Sequence, residues 1–108
     1  MKISFADVLL ARFPFTDLSG DKRRPVLVLS ADNDGVDILV AAITSKFHEG
    51  PHDIPVQPTV DNGLKTLSYV QFGKVATLER SIISGRVGVM PTEFMAQHKQ
   101  LFLNLFGF

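Results

Sequence analysis

Pro25-Val26-Leu27-Val28-Leu29-Ser30 and Asp37-Ile38-Leu39-Val40-Ala41-Ala42-Ile43-Thr44 are two short, nearly continuous apolar runs. Both read as strands, and the unbroken apolar character of the first predicts burial on both faces. Asp34-Gly35 lies just before the second run, a turn signal that makes the pair a hairpin. Outward from this hairpin the pattern repeats. Asp7 to Phe13 reads as a strand on its N-terminal side. Asp53-Ile54-Pro55-Val56 is short, and its proline places it at a sheet edge. Ser68 to Phe72 and Lys74 to Leu78 follow, with Gly73 between them as a bend or bulge. Ile82 to Met90 alternates loosely.

The period then changes. Phe94, Met95, His98, Leu101, Phe102, Leu105 and Phe106 recur at the spacing of one helical face. Pro91 stands near the start and Gly107 just past the end, as helix boundaries prefer. Met90 precedes the proline, so no Ser or Asp N-cap is expected. Short strands followed by one amphipathic helix predict a mainly β domain over 1–108. Its small, strongly bent sheet or barrel has the helix covering an opening. Two long polar connections, Pro14 to Arg24 and Ser45 to Lys65, are longer than such a domain needs, and loops of that kind carry function.

With 108 residues the chain is long enough to bury one core and too short for two. Hydrophobic residues make up 45% and charged ones 20%, a globular mix. Eleven basic residues balance eleven acidic ones, which excludes a strongly basic nucleic-acid tail and a polybasic membrane anchor but leaves room for a local basic patch. The absence of cysteine excludes disulfide scaffolds, thiolate zinc sites and Cys nucleophiles. Asp7 and Arg12 interrupt the N-terminus where a signal peptide would need an apolar run, and no stretch is long enough to span a membrane. A soluble cytoplasmic protein is expected.

Three places can carry chemistry. Asp21-Lys22-Arg23-Arg24-Pro25 ends the first long loop. Pro25 biases Arg24 toward extended geometry, so its guanidinium is aimed by the start of a strand. A planar fork so held can clamp two phosphate oxygens. The same residues also fit a solvated basic turn paired with Asp17 and Asp21. Thr44-Ser45-Lys46 ends the third strand; its hydroxyls and amine can donate to a phosphate, or Thr44 merely pairs across the sheet and Ser45 starts a turn. His48 and His52 flank Gly50-Pro51, which forbids the helix their spacing would need to hold a metal. His98 falls on the apolar helical face as a packed or rim residue. Glu79-Arg80 reads equally as an ion pair or part of a site. No Gly-rich phosphate loop, nucleophile elbow or paired-carboxylate signature is present. Phe13 and Phe15, around Pro14, read as core and loop anchors.

In order and spacing, Phe13-Pro14-Phe15-Thr16-Asp17-Leu18-Ser19-Gly20, Lys22-Arg23-Arg24-Pro25-Val26-Leu27-Val28-Leu29-Ser30, Ala41-Ala42-Ile43-Thr44-Ser45 and Lys74-Val75-Ala76-Thr77-Leu78-Glu79-Arg80 resemble the PemK/MazF-type toxins of bacterial type II toxin–antitoxin systems. The resemblance covers nearly the whole chain. It implies a small SH3-like β-barrel with a C-terminal helix. It also implies a sequence-preferring endoribonuclease that cuts single-stranded RNA without a metal or any other cofactor. The family's catalytic arginine corresponds to Arg24 and its catalytic threonine to Thr44, with Lys22, Arg23, Ser45 and Lys46 as RNA-binding neighbours. Where many members carry an acidic residue, this chain has Gly73, which leaves Glu79 as the acidic candidate nearby.

The chemistry so implied is attack of a ribose 2′-hydroxyl on the adjacent phosphorus, leaving 2′,3′-cyclic phosphate and 5′-hydroxyl ends. The alternative is a toxin of the same fold that acts by binding. It could be a CcdB-like gyrase inhibitor, favoured by the Phe106-Gly107-Phe108 tail, or a barrel that binds RNA or a partner without turnover. The implied partners are single-stranded RNA and a cognate antitoxin with an acidic, disordered segment; DNA would be met only through that antitoxin, and no membrane is involved. The crowding of Leu101, Phe102, Leu103, Leu105, Phe106 and Phe108 exceeds what one helical stripe can bury, which predicts a homodimer.

Overall fold

The apolar runs become strands because alternate residues leave opposite faces of an extended chain. The structure, a computed structural model, describes residues 1–12, 23–31 and 35–108. The readings placed on Phe13 to Lys22 and on Asp34 lie outside the described residues. The elements are β1 (Asp7–Arg12), β2 (Arg23–Ala31), β3 (Asp37–Thr44), β4 (Asp53–Val56), β5 (Ser68–Glu79), a 3-10 turn (Arg80–Ile82), β6 (Ile83–Val89) and α1 (Thr92–Leu105). They form one antiparallel sheet in the order β4-β5-β3-β2-β1-β6. The chain is mainly β with a C-terminal helix, as expected. The barrel is not closed, since β4 and β6 are edges and not hydrogen-bonded neighbours.

Two differences from the sequence reading have clear causes. β2 starts at Arg23, two residues before Pro25, because Arg23 and Arg24 pair with Arg12 and Ala11 of β1. The two apolar runs at 68–78 are one strand, β5, with the expected irregularity at Gly73. Ala41 pairs with Val75, but its neighbour Ala42 pairs with Gln71, so Phe72-Gly73-Lys74 bulge out. The bulge resets the alternation. Phe72 and Val75 lie three apart and would face opposite ways in a regular strand, yet both reach the same apolar cluster.

Leu9, Ala11, Val26, Val28, Val40 and Ala42 form the core of one sheet face. Val8, Leu27, Ala41, Ile43, Val70 and Phe72 form that of the other. The hairpin strands β2 and β3 contribute to both, which is why their sequences are almost uniformly apolar. Phe94, Met95, Leu101 and Phe102 of α1 pack on the second cluster. The helix starts after Pro91 without a side-chain cap. It ends in a Schellman motif: Phe108 N–H donates to Leu103 O and Gly107 N–H to Asn104 O, with Gly107 at φ +85°. No residue of α1 is fully buried, so the helix leans on the sheet with one face half covered.

Candidate functional site

The start of β2 and the end of β3 meet at one end of the sheet. Val26 pairs with Ala42; the same register carried two residues on sets Arg24 beside Thr44. A cleft of about 400 Å³ opens there, and both residues line it together with Arg23 and Ser45. The volume falls within the range of small-ligand pockets. Arg24 and Thr44 continue the alternation of Val26 and Ala42, while Arg23 and Ser45 continue the other face. The cleft touches both sets because it lies where the strands run out.

The far wall comes from the second long connection. Gly63, Leu64, Lys65, Thr66 and Ser68 line it. Their position is set by backbone contact. Gly63 has φ +68°, and a Cβ there would overlap the Val87 carbonyl oxygen. A Cβ at Gly88 would overlap the backbone of Asp61 and Asn62. Val89 N–H donates to Asp61 O at 2.8 Å. Asn62, only 2% exposed, ties the loop internally. Its Oδ1 accepts from Thr59 and Leu64 N–H, its Nδ2 donates to Gln57 O, and its own N–H donates to Thr59 Oγ1. Each bond is 3.0 Å. The loop is therefore a built part of the site.

At the end of β3 the chain turns tightly. Thr44 Oγ1 accepts the Lys46 N–H at 3.2 Å, which leaves the hydroxyl proton of Thr44 available to donate. Lys46 O in turn lies 3.0 Å from His48 Nδ1. Arg12 stands directly opposite Arg23 across β1 and β2, both exposed. Like charges in that position repel. Arg23, Arg24 and Lys65 line the cleft, a group of cations suited to an anion with several oxygens.

Of the residues expected at the site, Arg24, Thr44, Arg23 and Ser45 are together at the cleft. Lys46 is exposed at its rim, in the turn pinned by Thr44. Lys22 lies outside the described residues. Glu79 is not a nearby acid. It pairs with Asp37, at the opposite end of β3 from Thr44, roughly 20 Å away at strand rise. Arg80 is structural, its Nε donating to Gly35 O at 3.0 Å and its N–H to Val36 O at 2.8 Å. His98 is the packed histidine expected, stacked on Phe72 and bonded through Nδ1 to Phe94 O. Among the described residues no three of His, Cys, Asp and Glu converge in a metal-holding group. Lys65 and Thr66, which also line the cleft, were missed. Asn62-Gly63 is a turn signal, but nothing in the pattern says where the turn docks.

Residues 4–106 match the family model described as PemK-like, MazF-like toxin of type II toxin–antitoxin system. No curated protein matches the sequence significantly. Among solved structures, MazF from Deinococcus radiodurans superposes with a TM-score of 0.78 at 19% identity, covering 98% of this chain and 97% of that one. An endoribonuclease in complex with its cognate antitoxin from Mycobacterial species gives 0.77 at 18% identity, covering 98% and 96%. The Mycobacterium tuberculosis toxin MazF-mt6 gives 0.76 at 22%, covering 93% and 95%. These likenesses establish the shared fold.

Proposed function

The chain belongs to the PemK-like, MazF-like toxins of type II toxin–antitoxin systems, and on that premise we propose that it is an endoribonuclease cutting single-stranded RNA at the Arg24–Thr44 cleft. The observation that carries this reading is the convergence of Arg24 and Thr44 from two strands on one basic concavity of nucleotide size.

RNA supplies its own nucleophile. The ribose 2′-oxygen forms a bond to the adjacent phosphorus and gives up its proton. The bond from phosphorus to the 5′-oxygen breaks, and that oxygen takes up a proton. The products are a 2′,3′-cyclic phosphate and a 5′-hydroxyl, with no net co-reactant. What the protein must add is alignment and charge stabilisation. Arg24 is permanently protonated and faces the phosphoryl oxygens as electrostatic stabiliser. Thr44, whose oxygen already accepts from Lys46, donates a hydrogen bond to a non-bridging oxygen and keeps its proton. Arg23, Ser45 and Lys46 hold flanking phosphates, as does Lys22. The site needs neither metal nor cofactor.

The protein works in the cytoplasm as a homodimer, and a cognate antitoxin silences it by covering the basic cleft with an acidic segment. No described helix is long and apolar enough to cross a membrane.

Incubating the purified protein with a long single-stranded RNA in excess EDTA tests the reading. Discrete fragments are expected, with 5′ ends that a polynucleotide kinase labels without prior phosphatase treatment. Activity lost in EDTA and restored by Mg²⁺ would overturn the metal-free mechanism. RNA left intact while DNA supercoiling is inhibited would place the protein with the binding toxins.

A further inference from the structure

Phe47, three residues beyond Thr44, is an exposed aromatic ring held in a fixed place. It is 70% exposed, yet it packs on Tyr69 with ring centroids 5.7 Å apart and planes at 83°. Tyr69 is buried, 7% exposed, and is the direct register partner of Thr44. Directly paired residues leave the same face of a sheet, with Cβ atoms roughly 5 Å apart. The anchor of Phe47 therefore stands next to Thr44, on the sheet face that Thr44 shares with Arg24.

The chain leading to Phe47 is fixed as well. Lys46 is tied by its N–H to Thr44 Oγ1 and by its carbonyl to His48 Nδ1. In an edge-to-face pair only one ring offers its face. Whichever ring that is, at least one π-face of Phe47 stays open to solvent. Next to it in the chain stands the exposed Lys46, and Thr44 and Arg24, which share a sheet face with Tyr69, line the cleft. An open aromatic face beside cations that track a phosphate backbone is the arrangement by which proteins hold an unpaired base.

We propose that Phe47 is the stacking platform for a base of the nucleotide next to the one clamped at Arg24 and Thr44. The inference rests on the ribonuclease reading of the cleft and adds a base-contacting subsite to it. Phe47 touches a base and not the reacting atoms, so it acts in binding and positioning. Its ring tolerates any base, so sequence preference arises from other contacts.

The test uses the full chain and a fluorescent 12-nucleotide 2′-fluoro RNA of mixed sequence, which lacks the attacking hydroxyl, with an abasic strand of the same length as control. Stacking on one base is worth about tenfold in affinity. The wild type should bind the base-bearing strand about tenfold more tightly than the abasic one. Phe47→Ala should weaken binding to the base-bearing strand alone, erasing that preference with an unchanged salt dependence, and Phe47→Trp should restore it. An unchanged preference in a folded Phe47→Ala variant overturns the platform; cleavage that persists alongside leaves the nuclease reading standing. Conversely, a Phe47-dependent preference in a wild type that never cuts RNA keeps the platform and removes the nuclease. A wild type that binds neither strand overturns the platform. So does a Phe47→Ala variant that weakens only antitoxin binding, since Phe47 would then be a protein contact.

Discussion

At Thr44 one side chain holds a turn and keeps a hydrogen-bond donor to offer at the cleft. Its oxygen accepts the Lys46 N–H, and its proton remains free to donate. Thr44→Val removes both functions at a half-exposed position. Water can replace the lost turn contact, so stability should change by no more than about 0.5 kcal/mol. Cleavage should fall on the order of 10²–10³, as for removal of a preorganised oxyanion donor, while Thr44→Ser should stay within about tenfold of the wild type. Single-turnover cleavage with a melting curve separates the two effects, and a wild-type rate in Thr44→Val would make Thr44 purely structural. Glu79 is the contrary case. Its nearness to the site in sequence pattern meant nothing in space, because β3 carries Asp37 and Thr44 to opposite ends.

At the scale of elements, the hairpin was legible because its residues are buried on both faces, and such burial writes a continuous apolar run into the sequence. The start of β2 at Arg23–Pro25 and the end of β3 at Thr44 then mark where the cleft opens. The helix was legible for the same reason, from its stripe and its terminal glycine. The loop wall was not. Its place depends on two glycines without Cβ atoms against β6 and on the bonds of Asn62, and neither leaves a period in the sequence. Nor does alternation alone join 68–72 to 74–78 as one strand, because the bulge at Gly73 shifts its phase.

Gly63→Ala forces a Cβ into the Val87 carbonyl at positive φ. It should cost about 2 kcal/mol, a fall in Tm of roughly 10 °C for a domain this size, and should weaken cleavage by displacing Lys65 and Thr66. Gly85→Ala, where a Cβ meets nothing within 4 Å, should stay within about 0.5 kcal/mol. Equal Tm values for the two variants would mean that the loop is not clamped as described.

For the whole molecule, the apolar inventory exceeds what one protomer covers. Phe5, Phe106 and Phe108 are 59%, 51% and 83% exposed, and α1 has no fully buried residue. Apolar surface of this kind is commonly buried in a two-fold dimer. Sedimentation equilibrium at micromolar protein should give about twice 11.9 kDa; a clean monomer refutes the dimer.

The cleft itself is tested most directly by Arg24→Ala. Its guanidinium supplies a positive charge near the start of β2, where the residue is half-buried and lines the cleft. Single-turnover cleavage of one RNA in EDTA, with wild type and Arg24→Ala side by side and folding checked by circular dichroism, is the deciding measurement. The expected outcome is a folded variant whose rate is lower by on the order of 10²–10³. A folded Arg24→Ala protein that cuts at the wild-type rate would contradict it.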